Sequence, residues 1–185
     1  MTVLINGEFC QVDQQDCGGG TLAWAANNGY NGVVKALLGR MDVNPNCVDH
    51  YGRTPPGCPA FDGQEVVVEL LLERKNVDPN QPVKNGGGPL GCDAFAGQEG
   101  VAKLWLEWKN VDPNHPSMNG LTPLGWATKK RHERVVKLLL VRGDIDPNGL
   151  DINGLTPLVN TVSEGNLGVA KLLLERENIE PNHSD

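Results

Sequence analysis

Between Gly120 and Gly143 the apolar positions fall twice on one helical face, with a polar break between them. Leu124 and Ala127 stand at i and i+3. Val135, Val136, Leu138 and Leu139 then form a second ridge at helical spacing. This pattern predicts a short helix from Pro123 to about Lys130, a turn near Arg131, and a second helix from Glu133 to Val141. Thr122 is placed to cap the first helix, and Pro123 suits a first helical position, where no N–H bond is lost. At the turn, where this stretch has Arg131, the sister stretches carry Gly29, Gly63, Gly97 and Gly165, residues suited to a left-handed conformation just past a helix. No segment alternates at period two strongly enough to predict a strand.

The helix pair recurs. Val43-Asn44-Pro45-Asn46, Val77-Asp78-Pro79-Asn80, Val111-Asp112-Pro113-Asn114, Ile145-Asp146-Pro147-Asn148 and Ile179-Glu180-Pro181-Asn182 repeat every 34 residues. Gly18, Gly52, Gly86, Gly120 and Gly154 keep the same step. A period of this size means one supersecondary unit stacked on copies of itself. The prediction is an all-α solenoid of about five helix-turn-helix units, with negligible strand, forming one domain over residues 1–185. Residues 1–17 read as a remnant or N-terminal cap, with units near 18–51, 52–85, 86–119, 120–153 and 154–185. Val3-Leu4 aligns with Leu37-Leu38, so the chain is expected to begin inside or just after a second helix. Neither end reads as a polar capping unit, which leaves a piece of a longer array, or self-association through the ends, as the expectation.

Composition changes the picture modestly. A net charge of −7 disfavours general attraction to nucleic acid or an anionic membrane surface. Apolar runs such as Leu70-Leu71-Leu72 are far too short to span a bilayer. The start Met1-Thr2-Val3-Leu4-Ile5 has no signal-peptide character, which points to cytoplasm or nucleus. The five cysteines, Cys10, Cys17, Cys47, Cys58 and Cys92, are an odd number without C-x-x-C spacing, so neither a disulfide framework nor a structural zinc site is expected. No cofactor motif, phosphate loop or nucleophile elbow is present.

Gly-Leu-Thr-Pro-Leu opening the first helix, glycine between the helices, and Val-Val-Lys-Leu-Leu-Leu on the second resemble the ankyrin repeat over essentially residues 13–185. The longer 34-residue form with Asp-Pro-Asn looks like the ankyrin arrays of fungal proteins. The resemblance implies antiparallel helix pairs, projecting turns, and a concave groove formed by turn tips and first helices. It implies a non-catalytic scaffold for a protein or peptide partner. The family's variable contact positions, carried over individually, are His50, Tyr51, Arg53, Phe61, Asp62, Lys84, Phe95, Met118, Leu121, Lys129 and Lys130, with Asn85, Asn119, Ile152, Asn153 and Leu155 at the remaining turn tips. Asn27, Asn28, Ala96, Ser163 and Glu164 complete the first-helix ends.

Several residues depart from the pattern. Pro59 predicts a shortened or kinked first helix in the second unit, and Gly86-Gly87-Gly88 a weak start in the third. Asp93 falls where the other units have Ala25, Pro59, Ala127 and Thr161, a small and usually buried place. Either the helix rotates to bring Asp93 to solvent, or it makes a polar site in the groove. Phe61 and Phe95 either form an exposed aromatic pair or turn inward. The tryptophan column Trp24, Cys58, Cys92, Trp126 and Asn160 reads as core filling between units, and Trp105, replacing Leu71, Leu139 and Leu173, as core. Trp108 replaces Arg74, Arg142 and Arg176, which read as outward-pointing, and is a candidate for self-association. Lys129, Lys130, Arg131, His132 and Arg134 make a basic island suited to an acidic peptide and too small for duplex nucleic acid. The competing reading is an enzyme or small-molecule binder using a cleft at units two and three, with Asp93, Asp62, His50, Tyr51, Cys58 and Cys92 as its candidates and no metal.

Overall fold

The structure is a computed structural model that describes residues 2–5, 8–11, 19–49, 51–57, 65–84 and 86–181. It opens with an antiparallel hairpin, β1 (Thr2–Ile5) and β2 (Glu8–Gln11), in which Thr2 faces Gln11 and Ile5 faces Glu8. The expected second-helix remnant at Val3-Leu4 is therefore corrected. Thr2, Val3 and Ile5 are β-branched, and that stiffness favours an extended backbone over a helix with no partner to pack on.

Everything else in regular structure is helical. Four pairs are complete among the described residues: α1 (Gly19–Asn27) with α2 (Asn31–Leu38), α4 (Pro89–Ala96) with α5 (Glu99–Glu107), α6 (Pro123–Lys129) with α7 (Glu133–Val141), and α8 (Pro157–Ser163) with α9 (Leu167–Leu174). The second unit contributes α3 (Glu65–Leu72). Pro59 and most of the first helix expected there lie outside the described residues. Its lead-in, Pro55 to Gly57, is a turn closed by Gly57 N–H bonding to Thr54 O at 3.1 Å and Oγ1 at 2.9 Å. Two rows result. The first helices α4, α6 and α8 lie side by side, and α2, α3, α5, α7 and α9 form the second row.

Local chemistry explains the boundaries. Thr122 and Thr156 each accept from a backbone N–H one turn on, at 3.2 Å, and proline follows each threonine. In the third unit Gly88 supplies no side-chain cap, yet α4 runs a regular eight residues from Pro89. The expected irregularity of this helix is corrected: burial of Leu90 and Ala94 in the core outweighs a weak start. Each described first helix ends in a left-handed residue, Gly29 (φ 67°), Gly97 (φ 75°), Gly165 (φ 68°) and, against the steric preference, Arg131 (φ 62°).

The recurring tetrapeptide is an inter-unit joint. Its first residue is buried as Val43, Val77, Val111 or Ile145. The side chain at the second place accepts from the asparagine N–H, at 2.9 Å for Asp78, Asp112 and Asp146. The asparagine side chain then bridges to the next unit. Asn114 Nδ2 donates to Asp144 O at 2.7 Å while its Oδ1 accepts from Asp146 N–H at 2.8 Å, and Asn46, Asn80 and Asn148 repeat both bonds. An arginine column adds a second link: Arg142 and Arg176 donate to Leu106 O and Leu140 O at 2.7 and 2.8 Å, and Arg74 donates to Leu38 O. These guanidiniums reach back across the seam rather than outward. Trp108 occupies the same column and is half-buried, its ring centroid 6.4 Å from that of Trp105. The expectation of an exposed Trp108 is corrected, because its ring fills the seam between units.

Candidate functional site

The turn tips stack on one another. Gly52, Gly86, Gly120 and Gly154 all have φ between 72° and 78°, which explains why glycine keeps the 34-residue step. A side chain at Gly52 or Gly86 would also strike the next tip, since an added Cβ would lie 2.7 Å from Lys84 or 2.9 Å from Met118. Backbone bonds continue the row, Lys84 N–H to Gly52 O at 2.9 Å and Ile152 N–H to Asn119 O at 3.0 Å. Buried Asp49 closes the first of these tips. Its Oδ1 accepts from Tyr51 and Arg53 N–H at 2.9 and 2.8 Å, and its Oδ2 takes the Arg53 guanidinium at 2.7 Å. Asp151 repeats the device three units on, accepting from Asn153 and Leu155 N–H at 2.8 and 3.0 Å and from Asn160 of α8 at 3.2 Å. Desolvation works to raise the Asp151 carboxyl, and the hydrogen bonds from Leu155, Asn153 and Asn160 overcome it and hold the carboxyl below its usual range. The column Asp49, Val83, Ser117, Asp151 carries this signal in the sequence, and the motif reading missed it.

Two exposed aromatic groups carry cations, one at a turn tip and one at the end of a first helix. Arg53 lies over the exposed Tyr51 ring, 4.8 Å from its centroid. Phe95, at the end of α4, is 46% exposed and packs edge-on to the half-buried Trp126 of α6 at 5.1 Å. The Lys130 ammonium sits 4.4 Å from the Phe95 ring centroid. His132 completes the group with a ring nitrogen 3.1 Å from Phe95 O. Trp126 thus joins a site for which the sequence reading named Phe95, Lys129, Lys130 and, within the basic island, His132; its visible signal was only a tryptophan in a column taken for core. Lys84 and Lys129 are exposed, and Met118 is 73% exposed at its tip.

Other expected contacts fall elsewhere. Leu121 is 4% exposed and belongs to the interior, since the turn folds it under the tip, so its place as a contact residue is corrected. His50, Phe61, Asp62 and Cys58 lie outside the described residues. Asp93 is 1% exposed, so both expectations for it, solvent exposure and a groove site, are corrected. Its Oδ2 accepts from Trp105 Nε1 at 2.9 Å inside the third unit, while Oδ1 has no partner. Burial pushes the Asp93 carboxyl well above the ordinary carboxylate range, opposed in part by the Trp105 bond. Burial, with the neighbouring Asp93, also pushes the Cys92 thiol up to about 12, the opposite of what an activated nucleophile needs. Of the described members of the cleft reading, Asp93 and Cys92 are neighbours in α4 and Tyr51 stands at a tip, so the three are not brought together.

Among the described residues no helix is long and apolar enough to cross a membrane. No group of three His, Cys, Asp or Glu side chains there could hold a metal ion. The family model described as ankyrin repeats (3 copies) matches residues 92–185. No curated protein matches the chain.

Proposed function

The chain belongs to the ankyrin-repeat family, whose repeats generally mediate protein–protein interaction, and from that premise we propose a non-catalytic scaffold that holds a protein or peptide partner on the face made by turn tips and first helices. The observation that supports this reading is the pair of exposed aromatic–cation groups, Tyr51 with Arg53 and Phe95 with Lys130. Aromatic side chains and arginine carry most interface energy when a partner desolvates them. They are also held in place in advance, Arg53 by Asp49 and Phe95 by Trp126, so less side-chain entropy is lost on binding.

Peptides selected from a displayed library against the chain test the reading. Tyr51→Ala with Phe95→Ala should weaken the selected peptides by more than about tenfold. The melting temperature should stay nearly unchanged, because both rings are already substantially exposed. Lys103→Ala, on the exposed face of α5 in the second row, should leave binding intact. Loss of binding in Lys103→Ala with full binding in the double variant would move the site to the second row.

A further inference from the structure

We propose that the partner segment is an acidic peptide with an apolar side chain beside its carboxylates; this rests on the contact face argued above and specifies its chemistry. The chain as a whole carries −7, yet this face presents Arg53, Lys84, Lys129, Lys130 and Arg131. Its acids are few among the described residues. Asp49 is buried and taken up by Arg53, Asp151 is buried and bonded within its own turn, and Glu164 pairs with Arg131 at 4.0 Å. Lys84, Lys129 and Lys130 are left exposed without an acidic partner among the described residues.

The lysines are not explained by the helix they end. A cation in a last turn is favourable against the helix dipole. Yet α1, α4 and α8, the described first helices of the other units, have no basic residue in theirs. Arg131 adds a cation where the described sister units place glycine, in a left-handed backbone that disfavours a side chain. Positive charge is thus concentrated at one end of α6 against both the chain's net sign and local backbone preference. Lys130 stands directly over the Phe95 ring, so a ligand reaching it meets an ammonium and an apolar surface together. An acidic side chain next to an apolar one matches both.

The test uses a short fluorescein-labelled peptide with glutamates around a Phe-Leu pair, and the same peptide with every glutamate replaced by glutamine. Anisotropy titration of the whole chain should show the glutamate peptide binding about tenfold tighter or more, an advantage that shrinks as salt is raised. Lys129→Gln with Lys130→Gln should remove most of that advantage and leave the glutamine peptide's affinity unchanged. Phe95→Ala should weaken both peptides. Equal affinity for the two peptides, with Phe95→Ala still weakening both, overturns the acidic preference and leaves the contact face standing. Insensitivity to Phe95 and the two lysines, with loss on Lys103→Gln and Lys137→Gln in the second row, overturns the face as well. Displacement of the peptide by a short duplex DNA, or self-association of the chain abolished by the double lysine variant, assigns the lysines to another occupant and overturns the proposal. So does failure of the glutamate peptide to bind.

Discussion

Asp93 and Trp105 depart from their columns within the same unit and meet in its interior, with carboxylate Oδ2 accepting the indole N–H at 2.9 Å. The second carboxylate oxygen is buried without a partner, so one hydrogen bond must offset the desolvation of the whole group. A carboxyl raised in the fold stays protonated where the unfolded chain has already ionised. The folded state then holds more protons, and stability falls as pH rises from the ordinary carboxyl value toward the raised one. Asp93→Asn keeps an acceptor for the indole and removes the ionisation. It should match the parent near pH 4, where both are neutral, and exceed it by about 1–2 kcal/mol at pH 7. Trp105→Phe takes the donor away and should cost roughly 2–4 kcal/mol at pH 7, and less at pH 4. Urea titrations at the two pH values decide this. A larger loss for Asp93→Asn at pH 7 than at pH 4 would mean an ionised carboxylate held by the fold. The oddity of Asp93 was visible in its column of small residues, but its partner was not. Trp105 read as an enlarged leucine, and nothing in its column marked the indole N–H as needed.

Helix boundaries were the most legible elements. The Thr-Pro start predicted α6 from Pro123, where cap, proline and helical period all agree, and the apolar ridge alone predicted α7 as Glu133–Val141, as observed. The ridge itself was misread at one position: Leu139 is fully buried as expected, but Leu140 is buried where Leu138 was expected, and Leu138 is half-buried at the margin. The tetrapeptide was visible as a mark of period, but its mechanics were not, because its asparagine bonds to residues 30 and 32 positions further on. Asn114→Ala removes both of those bonds and should destabilise by about 1–3 kcal/mol. Leu139→Ala, a cavity in a packed interior, should cost about 2–5 kcal/mol and serves as the benchmark. Chemical denaturation compares them. An Asn114→Ala change near zero would reduce the ladder to a consequence of stacking rather than a cause of it. The first helix of the third unit shows the reverse failure: weak local signals suggested a weak, irregular start, and packing overrode them.

At the scale of the molecule the buried residues among those described fall into two clusters. Leu22, Val34, Val67, Leu71 and their neighbours form one cluster, and Val68, Trp105, Leu124, Leu139 and Leu173 belong to the other. Helix α3 contributes to both, and Trp108 packs against both. The helical repeat and the order of the described helices were legible in the period. The Trp108 seam was not, because Trp108 stands in a column of arginines and its seam lies between units rather than within one. Stacked repeats unfold as one only while each interface outweighs the intrinsic instability of the units it joins. Where Arg142 and Arg176 tie neighbouring units by bonds to a backbone carbonyl, the joint before the third unit relies on the Trp108 ring instead. Trp108→Ala should therefore cost about 2 kcal/mol by lost apolar contact. It should also uncouple the halves. Hydrogen exchange followed across a urea series should show α1 and α2 losing protection together with α6 and α7 in the parent, and before them in the variant. Trp108→Leu, which keeps an apolar side chain in the seam, should fall between the two. A variant that loses protection everywhere at the same lower urea concentration would show that Trp108 contributes stability but not coupling. The joint would then be carried by α3 and by the Asn80 bonds to Asn110 and Asp112.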